Sequence, residues 1–174
     1  MASYLFDKKI KRQFRRYAAQ VSLAAVALFG VLWAEQLIAG PDLARAVVIG
    51  AIAATACVLF ISPHREVATP RHVLGGYAIG LGIASGLGLL MATTSGVSLL
   101  IQAPVLFPFG AAMAVGGSMF AMAATDTEHP PAVGTALAVA GHGFSWDIIA
   151  FVVVSVVLMA GLHRLVRHRL IDLY

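Results

Sequence analysis

Residues 125–140 decide how this chain folds: Thr125-Asp126-Thr127-Glu128-His129-Pro130-Pro131, then a short apolar run, Ala132–Ala140. Polar and ionisable residues here sit directly between two apolar stretches, and the second stretch is only nine residues long. At about 1.5 Å per residue such a run falls well short of a bilayer core of about 30 Å. It reads as a half-helix at membrane depth, with Gly141-His142-Gly143 leading out the other side. Counted as a crossing, it gives six membrane segments and puts both termini on one side.

Outward from that stretch the sequence is a series of long uncharged blocks. The first span is expected at Tyr17–Ala39, closed by the turn pair Gly40-Pro41, and the second at Leu43–Ile61. The third runs His72–Ala92, the fourth Pro104–Ala124 and the last Asp147–Leu165, with a polar link at Thr93-Thr94-Ser95-Gly96. Blocks of about 18 or more apolar residues read as transmembrane helices. Across its 174 residues the chain is 60% hydrophobic and 11% charged, too little charge to cover a soluble surface. Open strands cannot span lipid, and a barrel needs an alternation these blocks lack. The fold class is therefore all-α, a polytopic helical membrane protein with four to six segments, the half-helix included. Cys57 is the lone cysteine, so no intramolecular disulfide forms, and the absence of Asn removes any N-glycosylation acceptor.

Charge orients the spans. Lys8, Lys9, Lys11, Arg12, Arg15 and Arg16 precede the first block, and Arg164, Arg167 and Arg169 close the last. Clusters flanking spans are topological anchors, so nucleic acid is not an expected partner. With a cytoplasmic N-terminus and six segments, only Arg45 among the twelve Lys and Arg falls outside. The expected organisation is a basic cytoplasmic segment, 1–16, a transmembrane domain, 17–166, and a basic cytoplasmic tail, 167–174. The location is the cell inner (plasma) membrane. The basic-then-apolar N-terminus reads as a retained signal anchor, because further spans follow.

Two polar stretches carry the candidate chemistry. Ser62-Pro63-His64-Arg65-Glu66-Val67-Ala68-Thr69-Pro70-Arg71 precedes the third span, and 125–131 precedes the half-helix. In each, proline opens the next helix, where its missing N–H costs nothing. The following N–H groups and the helix dipole favour an anion at such a start. Arg71 lies at the first start and His129 just before the second. Small residues, Gly75 and Gly76 in one and Ala132 and Gly134 in the other, allow close approach. Both starts face the cytoplasm in this topology and can form one vestibule. Gly76, Gly80, Gly82 and Gly86 have small-xxx-small spacing, which suits either tight packing within one chain or a homo-oligomer interface.

The pattern Ser62-Pro63, Ala68, Pro70-Arg71, Gly75-Gly76, then His129-Pro130-Pro131 and Thr135-Ala136-Leu137, resembles the HPP family of integral membrane proteins over roughly residues 18–165. Members of that family are described with four transmembrane helices, and some plant and cyanobacterial members are linked to nitrite transport. The resemblance implies a transporter or channel for a small inorganic anion such as nitrite, within the lipid bilayer. Its binding residues would be Pro70, Arg71, Gly75, Gly76, His129, Pro130, Pro131 and Thr135. Asp126 and Glu128 would repel an anion if ionised, which points to proton coupling through Asp126, Glu128 or His129. No enzyme activity, cofactor or metal is expected. Three readings compete: an accessory or structural subunit without transport activity, a cation pathway through Asp126 and Glu128, and a haem or metal membrane enzyme. Against the last, the histidines show no ligand-pair spacing within one helix and no His-Glu-x-x-His motif occurs.

Overall fold

A computed structural model describes residues 8–38, 43–103 and 105–173. The expected turn at Gly40-Pro41 and the residue Pro104 lie outside these. Among the described residues the chain is all helical. Its α-helices are α1 (Lys8–Ile38), α2 (Leu43–Ile61), α3 (Pro70–Met91), α4 (Thr94–Gln102), α5 (Leu106–Thr125), α6 (Pro130–His142) and α7 (Trp146–Val166). Short 3-10 turns, Glu66–Ala68 and Arg167–Arg169, precede α3 and follow α7. Three stretches, Pro70–Met91, Leu106–Thr125 and Trp146–Arg169, are long and apolar enough to cross a membrane. Large apolar side chains cover the outside of the bundle, among them Phe109, Met113 and Phe120 on α5 and Val154 and Leu158 on α7. An apolar surface of that extent needs lipid rather than water.

The helices pass between two ends of the bundle. One end gathers the basic residues. There Arg71 of α3 reaches the Thr125 carbonyl at the close of α5, and Arg167 beyond α7 reaches the Pro63 carbonyl. Gln20 of α1 bonds the Phe60 carbonyl near the end of α2 and the Ile171 backbone of the tail, and Leu173 N–H donates to the Ile61 carbonyl. At the opposite end Arg45 and Asp147 line one cleft between α1 and α7. The chain therefore traverses the bundle six times, by α1, α2, α3, α5, α6 and α7, and α7 returns to the basic end.

Short helix α6 is the centre of the bundle, packed on α3, α2 and α5. Most of its residues are small and apolar, which lets three helices pack closely around it, while Leu137 stays exposed. Ala132, Thr135, Ala136, Ala138 and Val139 are all buried. It runs parallel to α3. A Cβ at Gly76 would lie 2.7 Å from the His129 Cβ, and one at Gly80 would lie 2.9 Å from the Ala132 carbonyl oxygen. Only glycine permits this approach of the two backbones. At the other end, Gly88 lies against Gly143 and Phe144. The 13 residues of α6 span about 20 Å. Helix α6 thus starts at the level of Gly76, about 9 Å inside the start of α3, and finishes near the far end. It crosses; it does not turn back.

Two sequence expectations change in detail. The link after the third span is not merely polar: Thr93 caps a further helix, α4, its hydroxyl accepting from the Gly96 N–H at 3.1 Å. Of the four glycines spaced for an interface, Gly76 and Gly80 are taken up by α6 of the same chain, while Gly82 and Gly86 face open space.

Candidate functional site

Both proline-led helix starts open at the basic end. Thr69 is the N-cap of α3, with Pro70, Arg71 and His72 in its first turn. His129 is the N-cap of α6, followed by Pro130 and the buried Pro131. Between α5 and α6 the chain turns sharply, because Asp126 closes α5 in the left-handed region at φ 54°. Aspartate tolerates that conformation better than most residues. The turn lays Asp126, Thr127 and Glu128 over the start of α3. Gly75 is where Thr127 packs, its Cγ2 2.7 Å from the place a Cβ would occupy.

The site has a buried layer and an exposed rim. In the buried layer, His129 is fully enclosed. Its Nδ1 is 3.0 Å from the Val67 carbonyl and its Nε2 is 3.1 Å from Thr55 Oγ1. Tyr77 OH lies 2.8 Å from the same Thr55 hydroxyl and tilts its ring beside the imidazole. A carbonyl only accepts, so Nδ1 carries the proton and donates to Val67. The Thr55 and Tyr77 hydroxyls also have the Ala51 carbonyl as an acceptor, at 3.1 and 3.3 Å. His129 ties α2, α3 and α6 together. The Thr135 hydroxyl, also fully buried, approaches Tyr77 without reaching hydrogen-bond geometry.

At the rim, Arg71 donates to the Thr125 carbonyl at 3.0 Å and pairs with Asp126 Oδ2 at 3.3 Å. Buried His72 bonds Thr69 Oγ1 through Nδ1 at 2.8 Å and turns Nε2 toward Asp126 Oδ1 and Glu128 Oε2. Arg71, Asp126 and Glu128 are all well exposed. Asp126 and Glu128 are open to solvent, whereas His129 is enclosed.

The two helix starts are not equivalent as anion sites. At α6 both prolines lack an N–H, and the next donor, that of Ala132, is spent on the His129 carbonyl at 2.9 Å. The free N–H groups expected there are therefore missing, and the two prolines are the reason. At α3 the first helical bond is from Val73 N–H to the Thr69 carbonyl, so the N–H groups of Arg71 and His72 lie outside the helical ladder. Of the residues picked out in the sequence, Pro70, Arg71, Gly75, Gly76, Asp126, Glu128, His129, Pro130 and Pro131 come together here. Thr135 lies deeper. Sequence spacing did not single out His72, Thr55 or Tyr77 as members of the site.

These features define a class: a helical membrane protein whose central short helix begins, with a buried histidine and paired prolines, inside the bundle. The chain matches the family model described as HPP, transmembrane region, over residues 9–171, and it belongs to the HPP family. No curated protein and no solved structure matches it.

Proposed function

We propose that this HPP family protein is a transporter or channel for a small inorganic anion, with nitrite as the first candidate. One observation carries the reading: two parallel helices, α3 and α6, open toward the same end of the bundle, the second start recessed beneath the turn that Arg71 holds. Their dipoles add in one place. Discontinuous or shortened helices with N-termini directed at the solute are a recurring way to hold anions at membrane depth. The α3 start supplies the donors, Arg71 supplies the charge, and α6 supplies a dipole and a floor of small residues. The basic end is cytoplasmic in this reading, since Arg65, Arg71, Arg164, Arg167 and Arg169 lie there and Arg45 lies opposite. That orientation suits a plasma (inner) membrane.

Liposomes holding only this chain provide the test. Nitrite and similar small anions are expected to enter at a rate empty liposomes do not match, and sodium is not. A companion series with an inward proton gradient reports whether a proton travels with the anion. Entry of sodium without the anion would replace the reading by a cation pathway through Asp126 and Glu128. Entry of neither would leave an accessory subunit.

A further inference from the structure

We propose that His72, Asp126 and Glu128 form a site for a divalent transition-metal ion at the rim of the two helix starts. Three ligands that suit such an ion, one imidazole from α3 and two carboxylates from the turn between α5 and α6, place one donor atom each within 4.8 Å of one another.

His72 makes this more than an acidic patch. The residue is only 7% exposed, and among the described residues no hydrogen bond is found at its Nε2, which faces the two carboxylates. The nearest acceptors, Asp126 Oδ1 and Glu128 Oε2, stand off at 3.8 and 3.9 Å. Metal–ligand bonds of about 2.0–2.2 Å place neighbouring donor atoms roughly 3 to 3.5 Å apart in tetrahedral or octahedral geometry. The two separations from His72 need to close by about 0.3 to 0.9 Å, and the carboxylates that must move are the exposed partners.

Support behind the ligands fits the same purpose. With Nε2 free to give its lone pair, Nδ1 carries the proton and donates to Thr69 Oγ1 at 2.8 Å, which fixes tautomer and ring orientation. Asp126 divides its oxygens: Oδ2 stays with Arg71 and Oδ1 faces His72. The left-handed turn at Asp126 brings both carboxylates to the imidazole. An imidazole with two carboxylates favours zinc, cobalt, manganese or iron over magnesium, which prefers oxygen ligands and keeps its water.

A cation here also bears on the anion path, and in that part the inference rests on the function proposed above. Two carboxylates formally outweigh Arg71 at the rim. A divalent cation reverses the balance and leaves net positive charge beside the α3 start, where an anion would sit. The ion's open coordination positions would themselves suit a small oxyanion.

Metal binding is measured without any transport readout, so the two readings fail separately. Purified chain without a polyhistidine tag is titrated with Co2+ at neutral pH, followed by calorimetry and visible absorbance, with Mg2+ in parallel. One Co2+ per chain is expected, with Mg2+ at least tenfold weaker. Glu128→Gln, which alters only an exposed side chain, should weaken Co2+ at least tenfold, as should His72→Ala, while His168→Ala should not. No saturable Co2+ binding below millimolar concentration, or binding that both Glu128→Gln and His72→Ala leave unchanged, would overturn the site.

Discussion

Gly76→Val is expected to strip α6 from α3 and leave little folded protein. The Cβ alone would come within 2.7 Å of the His129 Cβ and 3.1 Å of the Thr127 carbonyl oxygen. Neither is the loose end of a flexible side chain. Relief would require the N-cap of α6 to retreat, and with it the hydrogen bonds of His129. Overpacking in a close-packed interior costs about 1–3 kcal/mol even when neighbours give way, and here valine adds two further methyl groups. Gly82→Val is the control, because nothing lies within 4 Å of its added Cβ. Size-exclusion profiles and thermal unfolding in detergent should separate the two variants sharply. Equal stability for both would mean that α3 and α6 do not approach as described.

His129→Ala should be the next most damaging single change. It removes a fully buried ring, leaves the Val67 carbonyl without its donor and costs Thr55 a partner. An orphaned buried polar group costs about 1–3 kcal/mol, and the emptied volume adds to it, so a loss of about 2–4 kcal/mol is expected. Asparagine and glutamine each replace one of the two ring nitrogens, so each should recover part of the loss and neither all of it. A melting temperature within about 2 °C of wild type for His129→Ala would show that the histidine does not hold the three helices together.

Most of the bundle could be read from hydropathy, because lipid imposes length and continuity on every span. The short run Ala132–Ala140 announced a half-helix for the same reason, and the structure extends it to Pro130–His142. The family was legible from Pro70-Arg71 and His129-Pro130-Pro131 together. What escaped depends on contacts between distant segments. Thr55 and Tyr77 are single polar residues inside apolar helices, and only folding brings them to His129. His72 has no ligand partner on its own helix; its carboxylates arrive through the left-handed turn at Asp126, which no local pattern marks. Glycine spacing signalled close packing but could not say against what. The structure assigns Gly76 and Gly80 to α6 and leaves Gly82 and Gly86 open. The donor count at α6 was misread because two consecutive prolines both favour a helix start and empty it of N–H groups.

The central claim is that the α3 start and Arg71 form an anion path through the membrane. Its most direct test is nitrite uptake into liposomes carrying equal amounts of wild-type and Arg71→Ala protein. Arg71 is 65% exposed and, among the described residues, its partners are Thr125 and Asp126, so its loss should leave the fold and membrane insertion intact. Uptake by the wild-type chain with at least a tenfold loss in Arg71→Ala is the expected result. Equal uptake by the two proteins would contradict the path.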